Sequence, residues 1–423
     1  VSFRPVQEQL EVLLRGVVDV ITRPELEERL EASRASGVPL KVKAGFDPTR
    51  PDLHMGHAVL LKKMKDFQDL GHEVILVVGG FTAMLGDPSG QNELRPRLSP
   101  EEVAAAAETY TTQAFTILDR EKTRVTNNTD WLGKLSASEL VHLMAQKTVA
   151  RMLERKDFAQ RFKSGTDIYQ HEFLYPLLQG YDSVELECDM ELGGTDQLFN
   201  LLVGRDIMPR YPSRKGSGNP RGQMVMTTPL LEGTDARWVD GRVVGKKMSK
   251  SADNYIGLQE EPLSIFRKVM QVDDAIIFRY FELLSTRPMA EVLELRAEVA
   301  GGRDPREIKA LFAKEWISAL AGPEAATKAA ADYARVYAGD AVPDDVPSHT
   351  VKTETATLWI AKALSVVGLV KSTGEGKRLV EQGGVEVDRV RVTDANLQLE
   401  PGKRYLVRVG SKNRKFAYIA VSR

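Results

Sequence analysis

Two histidines stand three residues apart in Asp52-Leu-His-Met-Gly-His57. At a helix start, such a pair shares one face. Free backbone N–H groups and the positive end of the helix dipole lie beside it, and Gly56 lets a ligand come close. A phosphate suits this chemistry. A metal is a competing reading, although no nearby spacing supplies a third ligand; a plain pair of surface histidines is another. About 190 residues downstream comes Lys247-Met-Ser-Lys-Ser251, preceded by Gly245 and Lys246. Two lysines three apart, flanked by hydroxyls, can close over a polyphosphate, because lysine is a mobile point charge. A solvated basic loop has the same composition. Finally, Tyr175, Gln179 and Asp182 fall at i, i+4 and i+7, one polar stripe on a helix beside Leu174, Leu177 and Leu178. Polar groups aimed into an apolar layer need partners. A ligand carrying both an amine and a hydroxyl would supply them; an exposed helix face would also fit the spacing.

The elements that must position these groups alternate. Lys41–Phe46 reads as a strand, and 47–52 as a loop, since Pro48 and Pro51 push their preceding residues out of helix. His57–Leu70 has helical periodicity and Val74–Val78 is a continuous β-branched run, a strand covered on both faces. Gly86–Gly90 reads as a turn. Strand, helix, strand in this order predicts a parallel sheet and a doubly wound α/β fold. The first 40 residues read as helical. Residues 100–165 read as a helical insertion between two halves of the sheet, Glu187–Glu191 and Met224–Leu231 as further strands, Tyr211–Gly222 as a loop, 260–340 as helices, and 341–355 as a linker. Short β elements follow a last helical stretch.

A chain of 423 residues holds two or three domains. With 42% hydrophobic and 28% charged residues it is expected to be soluble and globular. No apolar run nears the roughly 18–20 residues of a membrane span, and the residues from Val1 onward show no signal pattern. Cys188 is the single cysteine, which excludes a disulfide framework within the chain and points to a reducing cytoplasm. The net charge of −1 is unevenly spread: residues 356–423 carry 13 Lys/Arg against 6 Asp/Glu, leaving the rest of the chain at −8. A basic module on an acidic body suits a polyanionic partner.

His54-Met-Gly-His57 together with Lys247-Met-Ser-Lys-Ser251 resembles the two signatures of class I aminoacyl-tRNA synthetases. The resemblance implies a Rossmann-like catalytic domain in which His54, His57, Lys247 and Lys250, with Gly56, Ser249 and Ser251, embrace an ATP triphosphate. Catalysis is then positioning and electrostatic stabilisation. The substrate's own carboxylate is the nucleophile. Tyr175-x-x-x-Gln179-x-x-Asp182 is similar to the tyrosine pocket of the tyrosyl-tRNA synthetase family. By that likeness Tyr175, Gln179 and Asp87 hold the α-amino group and Asp182 takes the phenolic hydroxyl. Gly45-Phe-Asp-Pro-Thr49 matches the loop before the histidines, which places Asp47 near the nucleotide and Thr49, with His54, on the γ-phosphate side. Gly193-Gly-Thr-Asp-Gln197 resembles the ribose and carbonyl site, with Asp196 for ribose and Gln197 for the reacting carboxyl. Leu230 and Leu231 would flank adenine. Three positions depart from the better-known branch of that family. Lys43 stands where it has a tyrosine that contacts the hydroxyl, Ala44 where it has a cysteine, and Gln91 where it has a lysine, although Arg95 remains.

Residues 356–423 resemble an S4-type RNA-binding domain, through Gly368–Ser372 and Lys377–Val385. Lys371, Lys377, Arg378, Arg389 and Arg391 would contact phosphates. A small basic domain used for folding or dimerisation is the other reading. Lys147, Arg151 and Arg155 repeat at four-residue steps and are expected on one helix face, which the resemblance makes a site for the tRNA acceptor end near a dimer interface. The expectation is therefore a cytoplasmic homodimer taking tRNA, L-tyrosine and ATP with Mg²⁺, and no metal held by the protein itself. Its division would be a catalytic domain over 1–245, a lysine loop and helical domain over 246–340, the linker, and the S4-like tail. A tryptophan-specific relative shares the scaffold, but Asp182 and the tail disfavour it. A nucleotidyl transferase of another kind and a non-catalytic RNA-binding paralogue are the remaining alternatives.

Overall fold

The computed structural model describes residues 3–48, 52–87, 99–211, 221–338, 346–353, 355–410 and 415–422. Thr49, Gln91, Arg95 and most of the 211–222 loop lie outside them. The chain forms two compact units, Val1–Glu261 with Lys268–Gly322, and Pro262–Arg267 with Pro323–Arg423.

The first unit is built on six strands: β1 (Asp19–Ile21), β2 (Lys41–Phe46), β3 (Glu73–Val78), β4 (Thr123–Asn127), β5 (Met190–Gly194) and β6 (Met224–Thr228), in the order β1-β6-β5-β2-β3-β4. All neighbours are parallel except β1, which runs antiparallel to β6. Val74–Val78 is buried along its length, as a strand covered on both faces requires. The order reverses between β2 and β5. Successive strands build outward from β2 to β4 on one side and from β5 to β6 on the other. In an open parallel sheet a ligand crevice forms at such a reversal, beyond the carboxyl ends of the strands.

A helix over Met55–Asp69 connects β2 to β3 and buries Met55, Ala58, Val59, Leu61, Met64 and Phe67. A second helix, Gln170–Leu186, buries Leu177, Leu178, Tyr181 and Val184 in a cluster with Ile75, Val77, Trp131 and Ile207. It lies close against the helix Leu198–Ile207, because Gly180 meets Gly204 there; a Cβ on Gly180 would stand 3.1 Å from the Gly204 Cα.

Four expectations need correction. The 100–165 segment is not purely helical: it contains β4, an edge strand whose sequence, Thr-Arg-Val-Thr-Asn, has no apolar run to announce it. The strand expected from Glu187 starts at Met190, since Glu187 closes the preceding helix with a φ of 49°. The helices from 268 to 322 do not form a separate domain. The Arg15 guanidinium donates to the carbonyls of Phe281, Glu282 and Arg287, and the Tyr280 hydroxyl to that of Glu232 at 2.7 Å. Finally, the expected linker carries a strand, Ser348–Lys352.

That strand belongs to the second unit's sheet, in the order Val390–Val392, Val385–Val387, Arg404–Val409, Lys415–Ser422, Ser348–Lys352. Helices Ile360–Val366 and Thr373–Glu381 cover it over a core including Ile360, Leu364, Val380, Val385, Val407 and Ile419. Among the described residues no helix is long and apolar enough to cross a membrane.

Candidate functional site

At the reversal point lies a cleft of about 830 Å³, lined by residues from the ends of β2, β5 and β6, both helices and the lysine segment. It gathers His54, Gly56, His57, Asp47, Asp87, Tyr175, Gln179, Asp182, Gly193, Asp196, Gln197, Leu230, Leu231, Lys247, Ser249, Lys250 and Ser251 on one surface. Residues up to 204 positions apart in the chain thus face a common space.

His54 is the N-cap of the first helix, in extended backbone at φ −134°. Its Nδ1 accepts from the Gly56 N–H at 3.1 Å, and the His57 Nδ1 accepts from the His54 N–H at 3.2 Å. With Nδ1 an acceptor in both rings, each neutral imidazole carries its hydrogen on Nε2. Burial drives the His54 pKa down to about 2 and that of His57 to about 4; the Lys250 and Lys247 charges push the same way. Both are therefore neutral N–H donors. Gly56 is needed because a Cβ there would stand 2.9 Å from the His54 ring.

The lysine segment is pinned beside them. The Met248 N–H donates to the Leu231 carbonyl at 2.8 Å, and Met248 is buried. Buried Asn254 accepts from the Ser249 N–H at 2.8 Å and donates to Asp235 at 2.8 Å. Lys247 Nζ lies 2.8 Å from Asp196, and Lys250 Nζ 2.9 Å from Asp52. Ser249 and Ser251 have their hydroxyls 3.3 Å apart.

On the other side of the cleft, Asp182 is 4% exposed. Its Oδ1 accepts from the Trp131 indole N–H at 2.8 Å and its Oδ2 from the Asn128 amide at 3.3 Å. Each carboxylate oxygen can accept one bond more. Burial raises the pKa of Asp182 to about 7, against the pull of Lys43, Trp131 and Asn128. The Tyr175 hydroxyl donates to Asp47 at 2.7 Å, and the Thr82 hydroxyl to the other Asp47 oxygen at 2.7 Å. Burial, with Asp47 and Asp87 close by, keeps the Tyr175 phenol protonated. Asn200 donates to the amide oxygens of Gln179, at 3.1 Å, and Gln197, at 3.0 Å, while the Gln197 nitrogen donates to Asp87 at 2.7 Å.

Asn128, Trp131, Asn200 and Asn254 escape a reading by motif, because each acts through a neighbour brought in by the fold. Lys43 and Glu191 carried a usable signal: opposite charges inside two strands whose neighbours are apolar.

The basic residues of the 147–155 segment are not on one helix. The helix there spans Val149–Met152, and Arg155 caps the next one, Lys156–Ser164, in extended backbone. Arg155 is 6% exposed, forks onto Asp157 at 2.6 and 2.7 Å, and stacks on Phe158. Lys147 pairs with Asp206, and Arg151 is exposed beside Glu154. In the second unit Lys371, Lys377, Arg378, Arg389 and Arg391 are all exposed. No cluster of three or more His, Cys, Asp or Glu fit to hold a metal occurs among the described residues.

The family model for class I tRNA synthetases (W and Y) matches residues 35–338, and that for the S4 domain matches 358–404. The tyrosine–tRNA ligase of Desulfotalea psychrophila is 47% identical over 407 residues, 96% of each chain. That of Coxiella burnetii is 48% identical over 415 residues, 98% of this chain and 99% of its own. Among solved structures, the tyrosyl-tRNA synthetase of Archaeoglobus fulgidus complexed with L-tyrosine has a TM-score of 0.59 at 23% identity, covering 77% of this chain and 100% of its own. A C-terminally truncated mitochondrial tyrosyl-tRNA synthetase of Aspergillus nidulans has a TM-score of 0.63 at 21% identity, covering 79% and 94%. These two likenesses concern the fold.

Proposed function

This chain belongs to the class I tRNA synthetases of the tryptophan and tyrosine group, and we infer that it is a tyrosine–tRNA ligase. It activates L-tyrosine with ATP to tyrosyl-AMP and pyrophosphate, then transfers the tyrosyl group to the 3′-terminal ribose of its tRNA. The observation that carries the choice of amino acid is Asp182, a buried carboxylate with one bond to each oxygen and capacity left for a phenolic hydroxyl.

In the first step the tyrosine carboxylate attacks the α-phosphorus and pyrophosphate leaves. Negative charge grows on the bridging and terminal oxygens. The neutral N–H donors of His54 and His57 and the ammonium groups of Lys247 and Lys250 line that end of the cleft, and in this reading they bind the charge more tightly as it develops. Thr49 would join them on the γ-phosphate side. Gly56, Ser249 and Ser251 complete the phosphate lining, Asp47, Gly193 and Asp196 hold the nucleoside, and Leu230 and Leu231 its base. Tyr175, Gln179 and Asp87 take the ammonium, and Gln197 the reacting carboxyl. Mg²⁺ bound with the ATP phosphates would neutralise part of their charge. In the second step a terminal ribose hydroxyl attacks the tyrosyl carbonyl and AMP departs.

The S4 match and the exposed basic residues support RNA binding by the second unit, through Lys371, Lys377, Arg378, Arg389 and Arg391. For the first unit, Arg151, whose side chain and that of its partner Glu154 are both exposed, supports an acceptor-end contact better than the largely covered Lys147 or Arg155. A cytoplasmic homodimer completes the proposal. Exposed Val141, Val149 and Phe162 support an apolar contact near the 137–165 segment; light scattering on the purified chain tests it. The deciding measurement for function is amino-acid-dependent ATP–pyrophosphate exchange, followed by tRNA charging. Exchange with tyrosine and not tryptophan is expected; exchange driven equally by tryptophan would overturn the assignment.

A further inference from the structure

Beneath the cleft, Lys43 on β2 and Glu191 on β5 stand directly opposite in the sheet, with side chains each 1% exposed. Lys43 Nζ lies 2.6 Å from Glu191 Oε1. A buried ion pair in a sheet is costly unless its remaining bonding capacity is met. Here it is met in one direction only. The same Oε1 accepts from the Gln179 side-chain nitrogen at 3.1 Å, while Oε2 accepts from the Ser183 hydroxyl at 3.2 Å and from the Gln223 amide. Burial works against the Lys43 charge, but the Glu191 carboxylate, with Asp182 beyond it, raises its pKa above the usual lysine value.

An ionised carboxylate only accepts. Glu191 therefore dictates which way round the Gln179 amide sits: nitrogen toward the sheet, oxygen away from it. That oxygen takes one bond from Asn200 and keeps a second lone pair, and Gln179 is part of the cleft lining. An oxygen there attracts an ammonium group; an NH₂ there would repel it. We propose that Glu191, locked by Lys43, is a positioning residue that holds the Gln179 amide oxygen toward the α-ammonium group of tyrosine. The proposal rests on the reading above that Gln179 contacts that ammonium. It also gives Lys43 a task different from contact with the substrate hydroxyl.

The surroundings make the test directional. Gln223 cannot turn to suit a changed neighbour, since its oxygen accepts from the Cys188 thiol at 3.0 Å and its nitrogen also donates to the Leu201 carbonyl at 3.0 Å. In Glu191→Gln the new amide must give its oxygen to Gln223 and its nitrogen to Gln179, which turns the Gln179 amide around. Glu191→Gln alone strands a buried ammonium and endangers folding, so the variant of choice is the charge-neutral pair Lys43→Met/Glu191→Gln. Calorimetry on the full chain compares L-tyrosine with 3-(4-hydroxyphenyl)propanoate, which lacks only the ammonium. The double variant is expected to weaken tyrosine binding at least about tenfold, the scale of a lost bond to a charged group, and to leave the propanoate within about twofold. Equal loss of both ligands, as from general damage to the fold, or no loss of either, overturns the proposal. Gln179→Leu is the companion variant. If it narrows the gap between the two ligands and the double variant does not, Glu191 alone is wrongly assigned. If Gln179→Leu leaves the gap intact, the ammonium reading of Gln179 fails and the positioning role fails with it.

Discussion

Lys247 and Asp196 are joined by an ion pair of 2.8 Å. One is assigned to phosphate and the other to ribose, so the two groups that would hold a nucleotide also satisfy each other. Lys250 is held in the same way by Asp52 at 2.9 Å. Nucleotide binding must exchange these carboxylates for the ligand's own oxygens.

Lys250→Ala should slow adenylate formation about a hundredfold, the scale seen when one donor to a developing oxyanion is removed. Tyrosine affinity should stay within about twofold. Stopped-flow measurement of the first step beside equilibrium tyrosine binding checks this; equal effects on both would remove the transition-state role.

Asp52→Asn should act in the opposite sense on ATP. The Asp52 side chain is 52% exposed, so solvent screens the pair it makes, and such pairs contribute only up to about 1 kcal/mol. Freeing Lys250 is expected to lower the KM for ATP about two- to fivefold in pyrophosphate exchange. A raised KM would mean that Asp52 positions the lysine and does not restrain it.

Asp182→Asn should cut the tyrosine-over-phenylalanine ratio of kcat/KM by about 10- to 100-fold, the scale of a hydrogen bond to a charged group. The pH dependence has a definite sign. With the pKa raised to about 7, the carboxylate gains a proton as pH falls through that value, so the wild-type ratio should shrink below pH 7 and the Asn variant's should not. Steady-state kinetics with both amino acids from pH 6 to 8.5 decide it.

His72 gives a stability prediction away from the cleft. Its Nε2 bonds Gln9 at 3.0 Å and its Nδ1 accepts from the Leu40 N–H at 3.3 Å. Burial lowers its pKa from 6.5 to about 4. The unfolded chain therefore binds this proton before the folded chain does. The contribution is present above pH 6.5 and is lost as pH falls toward 4. His72→Gln should remove on the order of 2 kcal/mol of that pH dependence, seen in melts from pH 7 to 4.5. An unchanged slope would place the dependence elsewhere.

Arg151 and Arg155 should separate cleanly. Arg155→Ala strands Asp157 and uncovers Phe158, and should cost about 3 kcal/mol of stability. Arg151→Ala, at an exposed position, should change stability by less than about 0.5 kcal/mol and raise the KM for tRNA. Denaturant unfolding and charging kinetics on both variants report the two effects independently.

The sequence was legible where local pattern and final environment agree. β3 follows from its apolar run, because a strand buried on both faces has few polar alternatives, and β2 from its place ahead of a proline-bounded loop. β4 and Ser348–Lys352 are partly exposed and polar, so nothing local separates them from loop. The same limit governs the site. His54, Lys250 and Asp182 stand in recognisable spacings, and all three reach the cleft. Asn128 and Trp131 act on Asp182 from 54 and 51 residues away in the chain, a relationship only folding creates. For Arg151 and Arg155 the four-residue spacing misled, because the helix it assumed stops at Met152.

The sheet of the second unit draws an interior strand, Lys415–Ser422, and the parallel strand beside it, Ser348–Lys352, from opposite sides of the S4-matched segment 358–404. An excised fragment limited to the matched segment would have the basic residues but would stop at Arg404, so that Val385–Val387 would lose the strand Arg404–Val409 it pairs with on one side. Anyone wishing to weigh RNA affinity without the catalytic half should cut the gene outside codons 348 and 422; narrower boundaries would deliver a sticky, half-built sheet and a misleadingly weak reading.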